Sequence, residues 1–177
     1  MQTAHPGFTR LRPRLRRGFT LIELIIVVAI IAIVAATIFV AIDPAKQLHA
    51  ARNSTRWADV TSILEGIKKY QFDNDGALPA IDGSPGSVQL IGSNVGTCGS
   101  VSCGSHPVAS GGCELDLSSS LRPYMKKIPY DPKTGTERNS RYYVNKDEYG
   151  LISVGACDSE GEGAGGQGEV PNIELTR

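Results

Sequence analysis

Four groups of residues in this 177-residue chain have types and spacings that could do chemistry. The first is Cys98, Cys103, Cys113 and Cys157. Four cysteines allow three disulfide pairings, and sequence does not choose among them. Zinc is the competing use, but tetrahedral sites favour paired C-x2-C knuckles, and here a C-x4-C spacing is followed by isolated cysteines. The second group lies in the glycine-rich run from Val154 to Glu169, which carries Asp158, Glu160, Glu162 and Glu169. Carboxylates and free carbonyls on a pliant loop suit calcium, which takes six to eight oxygen ligands, and the competing reading is a solvated tail. The third group is His5, His49 and His106, none of which accompanies a recognisable nucleophile. The fourth is a single carboxylate, Glu23, at the mouth of a long apolar run.

The glycines near Gly161–Gly168 lack the strand-to-helix setting of a phosphate-cradling loop, and no Gly-Lys-Ser pattern occurs, so the sequence does not read as an enzyme. His49, Arg52, Arg56, Lys68 and Lys69 would make one face of a helix basic, most simply a solvated face or an intersubunit surface. Residues 43–177 carry 13 basic against 17 acidic groups, so no nucleic-acid partner is expected. The overall charge of zero hides an asymmetry: residues 1–18 hold five arginines and no acid. Such a tail faces a different environment from the rest of the chain.

From Leu24 to Ile42 nineteen residues pass without a charge, Gly or Pro. At ~1.5 Å per residue this nearly spans the ~30 Å hydrocarbon core of a bilayer. A secretory signal would have a shorter apolar region and a small-residue cleavage site. The arginines should stay cytoplasmic, which sends residues 43–177 across the membrane into a compartment where disulfides persist. Glu23 needs a partner in such a segment, and Thr20-Leu-Ile-Glu23 has the spacing of a capping box.

The string RRGFTLIELIIVVAIIAIVAA, a basic leader ending in Gly and then a Phe-Thr-Leu-Ile-Glu start on an apolar helix, resembles the type IV pilins and the pseudopilins of type II secretion. The resemblance implies cleavage between Gly18 and Phe19 by a prepilin peptidase, methylation of the new Phe19 amine, and polymerisation with copies of itself through the N-terminal helix. Glu23 would pair with the Phe19 ammonium of its own or a neighbouring subunit. It also implies membrane lipid around the helix before assembly, an assembly ATPase and a platform protein. The final location would be a pilus or pseudopilus at the cell surface or in the periplasm. The pairing Cys98–Cys103 with Cys113–Cys157 is favoured, since the second resembles the C-terminal disulfide loop of many pilins. The run after Val154 is similar to the calcium-binding loop of major pseudopilins, and Tyr124…Pro129-Tyr-Asp131-Pro132 resembles a segment of the same proteins. Cys157 and the Glu-for-Asp replacements depart from that calcium pattern.

The elements that must position these groups follow from periodicity. Trp57, Val60, Ile63, Leu64, Ile67 and Tyr70 form a helical stripe able to face a sheet, so the chain reads as one long helix from about Thr20 to Phe72, with a kink or melted turn at Asp43-Pro44. Residues 76–112 hold nine glycines and read as loops with one short strand near Val88–Ile91. A short helix is expected around Leu117–Met125, stopped by Pro129. Arg141–Val144 and Tyr149–Val154 read as a hairpin. The expected fold is α+β, a long N-terminal helix packed on a small antiparallel sheet. The expected organisation is a removed leader 1–18, a transmembrane or filament-core helix 19–42, its amphipathic continuation 43–72, and an extracytoplasmic head 73–177. The alternative to a main filament subunit is a minor pilin or a membrane-anchored module that recognises a ligand through its head.

Overall fold

The computed structural model describes residues 18–81 and 86–177, so the leader lies outside the described residues except for Gly18. The chain divides into two units, Met1–Ile42 and Asp43–Arg177, each taken separately below.

The first unit contributes helix α1, Leu21–Ile42. Its unbroken run of Ile, Val, Leu and Ala leaves no polar face, and none of its residues is buried. Among the described residues only this stretch of helix is long and apolar enough to cross a membrane.

The second unit opens at Asp43. The residue before a proline is disfavoured in the right-handed helical region, and Asp43 sits instead at φ 45°. Its carboxylate caps the next helix by accepting the Lys46 N–H at 3.2 Å, with Pro44 in the first turn, where no amide is needed. The break therefore falls at Asp43-Pro44, where it was expected, and begins α2, Pro44–Asp73. Helix α2 ends where the backbone and side-chain amides of Asn74 both return to the Tyr70 carbonyl, at 3.0 and 2.8 Å, and the chain turns through positive φ at Asp75 and Gly76.

A five-stranded sheet follows: β1 Gln89–Gly92, β2 Glu114–Leu115, β3 Asn139–Lys146, β4 Ile152–Ala156 and β5 Glu174–Thr176. Its order is β2-β1-β3-β4-β5, parallel between β1 and β2 and antiparallel elsewhere, so the arrangement is α+β. Strand alternation makes two cores from one sheet. Tyr142 and Val144 of β3, Ile91 of β1 and Val154 of β4 face Val60, Ile63, Leu64 and Ile67 of α2. Burying each such aliphatic side chain contributes roughly 1.5–3 kcal/mol. Tyr143 and Leu90 point the other way and join Val88, Val95, Cys103, Cys113 and Cys157 in a second, smaller core. Gly155 lies directly across from Tyr143, and a Cβ there would come 2.4 Å from the tyrosine hydroxyl.

Three expectations need correction. Trp57 is not part of the buried stripe; it is 38% exposed, and its neighbour Arg56 is the residue turned fully inward. The segment from Leu117 to Met125 forms isolated turns rather than a helix, because Pro123 has no amide to continue one. Strands β2 and β5, two and three residues long, were not expected at all and have too little sequence to show a period.

The disulfide pairing is also corrected. All four cysteines are bonded, as Cys98–Cys113 and Cys103–Cys157. Cys113 directly precedes β2 and Cys157 directly follows β4, and β1 and β3 lie between those strands. Three strand spacings of about 4.8 Å put them roughly 14 Å apart, beyond the ~7 Å reach of a disulfide. Both bonds instead tie the cysteine-bearing loops over the Tyr143 face of the sheet.

Candidate functional site

Two sets of residues carry potential function, one in each unit. In the first, Phe19 is 94% exposed directly before α1. Thr20 and Glu23 close the capping box: the Thr20 amide and hydroxyl donate to Glu23 Oε2 at 2.8 and 2.9 Å, and the Glu23 amide donates to the Thr20 hydroxyl at 3.3 Å. Both donations fall on one carboxylate oxygen. Glu23 Oε1 accepts no bond among the described residues, so one oxygen of the only acid of this helix is left without a hydrogen-bond donor there.

The second set joins α2 to the acidic glycine-rich loop. Arg56, fully buried, donates through Nε and Nη2 to Asp131 at 2.6 and 3.2 Å, and through Nη1 to Asn53 Oδ1 at 2.8 Å and Glu160 Oε2 at 3.1 Å. Asn53 works in both directions. Its amide nitrogen donates to the Glu160 carbonyl and to Glu162 Oε1, both at 2.7 Å, while its oxygen accepts the Glu160 N–H at 3.1 Å. Arg52 and Lys133 reach Glu160 Oε1 at 3.1 and 2.7 Å. His49 Nδ1 lies 3.0 Å from the Gly161 carbonyl, and Asp43 Oδ2 accepts the Gly165 amide at 2.6 Å. Gly166, at φ +73°, lies under the His49 ring, where a Cβ would come within 2.6 Å.

The electrostatics close around these contacts. Burial by itself would raise Asp131 and Glu160, yet both are held below the usual carboxylate range. Arg56 and the backbone amides of Thr134 and Lys133 do this for Asp131, and Lys133 with Arg56 does it for Glu160. Asp158 is likewise raised by burial but lowered further by Arg141, whose Nε and Nη2 both donate at 2.7 Å, and by Thr134. Asp59 moves the other way: burial raises it, although the Tyr142 hydroxyl donates to it at 2.7 Å.

The four carboxylates proposed for calcium are thus not brought together. Asp158 belongs to Arg141, Glu160 to Arg56, Arg52 and Lys133, Glu162 to Asn53, and Glu169 stands exposed. Among the described residues no group of three or more His, Cys, Asp or Glu could hold a metal ion. The donor set does not fit calcium, because the positive charge the loop needs comes from side chains of the protein itself. His106 Nε2 lies 3.0 Å from the Tyr143 hydroxyl. Of the basic residues on α2, Lys68 and Lys69 are exposed, whereas His49, Arg52 and Arg56 grip the loop rather than forming a solvated face. The signal for this was opposite charge: basic residues at steps of three and four on α2, and an acidic run with no cations of its own.

The family model of the prokaryotic N-terminal methylation motif matches residues 13–39. No curated protein and no solved structure matches the chain. With Gly18, Phe19 and Glu23 inside the matched segment, the chain carries the N-terminal signature of type IV pilins and pseudopilins, whose family is structural rather than catalytic.

Proposed function

We propose that this chain is the structural subunit of a type IV pilus-like or type II secretion pseudopilus filament. It is cut between Gly18 and Phe19, methylated at the Phe19 amine, and polymerised by packing α1 helices together. The observation that carries this reading is α1 itself: the methylation motif, residues 13–39, runs into a 22-residue apolar helix, Leu21–Ile42, that buries none of its residues and holds one acid, Glu23. Before assembly that surface belongs in lipid, with the arginine-rich end cytoplasmic and the disulfide-bonded head outside. In the filament the same surface meets other copies, where van der Waals packing replaces lipid contact.

Cleavage makes a cation next to the carboxylate. The N-methylated amine of Phe19 keeps its charge, and Glu23 Oε1 is the acceptor that Thr20 leaves unused. An unpaired carboxylate in a membrane costs roughly 2.5–3.5 kcal/mol at the bilayer centre and less near the interface, so pairing across subunits favours one axial register over others. Processing requires a prepilin peptidase and methyltransferase, and extrusion an assembly ATPase and a platform protein. Intact masses from sheared extracellular material and from membranes test the reading. A methylated chain starting at Phe19 supports it, and abundance in the sheared fraction identifies a surface pilus; the same species confined to membranes identifies a pseudopilus or minor subunit. An uncut chain in both fractions refutes it. Glu23→Ala should be inserted and cut normally but yield few filaments, and a normal yield would remove the role given to that carboxylate.

A further inference from the structure

A filament needs contacts between heads as well as between helices. A contact that propagates head to tail requires two different, complementary patches on opposite ends of the same molecule. The head has such a pair, and strand β3 separates them. At the start of β3, Ser140 lines a groove of about 620 Å³. Met125 and Ile128, packed over the buried Leu121, give it apolar walls, and Arg122, Lys126 and Lys127 a basic rim. Lys127 is engaged by Glu137 and Asp116 by the Ser118 amide, but Arg122 and Lys126 are exposed and form no ion pair among the described residues.

At the far end of β3, six steps from Ser140 to Lys146 and so about 20 Å away at ~3.3 Å per residue, is the tip of the β3–β4 hairpin. Asp147 Oδ1 accepts the amides of Tyr149 and Leu151 at 2.9 and 2.8 Å, and the Leu151 carbonyl accepts the Asp147 amide at 3.0 Å. That hydrogen-bonded turn leaves Tyr149 82% exposed and Leu151 45% exposed beside the exposed acid Glu148. An exposed tyrosine next to a charge is the composition of an interface anchor, since the ring offers apolar area at little entropic cost.

We infer that the hairpin tip of one head inserts Tyr149 into the groove of the next copy, with Glu148 against Arg122 and Lys126. The occupant is a second copy because the charges are complementary and because the two patches lie at opposite ends of one strand, a head-to-tail geometry that does not close on itself. The inference rests on the filament reading above and names a contact between its heads.

The test uses the full chain in cells that assemble it, comparing wild type with Tyr149→Ala, Glu148→Arg, Arg122→Glu and the double exchange Glu148→Arg/Arg122→Glu. The measurements are sheared-filament yield and the intact mass of the membrane pool. Each single variant should lower filament yield at least about tenfold, while its membrane pool stays cut at Phe19 with both disulfides formed. The double exchange should recover most of the loss. Because the four native cysteines are all bonded to one another, Glu148→Cys with Arg122→Cys should in addition give covalent ladders of copies under oxidation. Single variants with wild-type yield, a double exchange no better than its singles, or the absence of ladders from assembled filaments overturns the inference and leaves the filament reading standing. A wild-type chain that is never cut or polymerised overturns both.

Discussion

Replacing Arg56 by methionine keeps the length of the apolar stem and removes the guanidinium. The change strands Asp131, which is fully buried and receives two of Arg56's bonds. Breaking a buried ion pair by deleting one partner costs about 3–5 kcal/mol, because the remaining charge has lost its compensation. Asp131 keeps the amides of Lys133 and Thr134 and the Thr134 hydroxyl, and Glu160 keeps Arg52 and Lys133, so the low end, about 3 kcal/mol, is expected. With an unfolding entropy of about 2.1 cal/mol/K per residue over Asp43–Arg177, that is a fall in Tm of about 10 °C. The pH dependence separates this account from a generic packing defect. In the wild type Asp131 is held below its ordinary 3.8, so its contribution is complete above that value and is lost as pH falls through the lowered folded value. In Arg56→Met burial acts on Asp131 without the guanidinium, its carboxyl rises, and the folded variant takes up a proton before the unfolded chain does. The variant is therefore stabilised as pH falls from 7 towards 4.5, and the gap to wild type narrows. Thermal melts of the full chain in detergent, followed by circular dichroism at pH 7 and 4.5, measure both effects. A loss under ~3 °C at pH 7, or a gap that stays constant or widens on acidification, refutes the reasoning.

Other outcomes follow from the same contacts. Adding calcium to millimolar concentration, or removing it with a chelator, should leave the Tm within about 1 °C, since a ligand that does not bind the folded state does not stabilise it; a saturable calcium-dependent rise would show that the loop can exchange its arginines for a metal. Removing Cys103–Cys157, which spans 54 residues, should cost about 4 kcal/mol against about 3 for Cys98–Cys113, which spans 15, and the order of the Tm values of the paired Cys→Ser variants checks this. Gly155→Ala should lower the Tm by several degrees by driving a methyl into the Tyr143 ring, and the double variant with Tyr143→Ala should recover more of the loss than that with Tyr143→Phe, because the ring carbon Cζ lies as near the new methyl, 2.4 Å, as the hydroxyl does.

Different parts of this molecule were legible in its sequence to different degrees, and the dividing line is the range of the interaction. The cap at Thr20–Glu23, the purity of α1, the break before Pro44 and the β3–β4 hairpin each depend on residues within a few positions of one another. Periodicity and turn chemistry report on that range directly. The disulfide pairing depends on sheet order, which was set by the two-residue strand β2 inserting parallel beside β1, too short to leave a pattern. Arg56 was misread for a related reason: a charged residue on a helix is placed outside unless its partners are known, and Asp131 and Glu160 lie 75 and 104 residues away. The acidic loop reads as a calcium loop in the sequence because carboxylates spaced by glycine on a pliant chain have the same one-dimensional signature whether a divalent ion or a set of arginines satisfies them.

That ambiguity has a physical consequence for the head. A metal-held loop is as stable as the metal concentration allows, whereas a loop held by Arg52, Arg56 and Lys133 carries its counterions covalently and is sensitive instead to acid. The same loop is fixed at three further points, by Asn53 on the Glu160 backbone, by His49 on Gly161 and by Asp43 on Gly165. Asp43 also caps the N-terminus of α2. One carboxylate at the first residue of the second unit therefore both starts α2 and anchors the acidic loop. Asp43→Ala should cost more than the ~1 kcal/mol of a lost helix cap, because the Gly165 amide loses its acceptor as well. If hydrogen exchange in that variant quickened only in the first turn of α2 and left Gly163–Gln167 unchanged, the loop would be held by the Arg56 cluster alone.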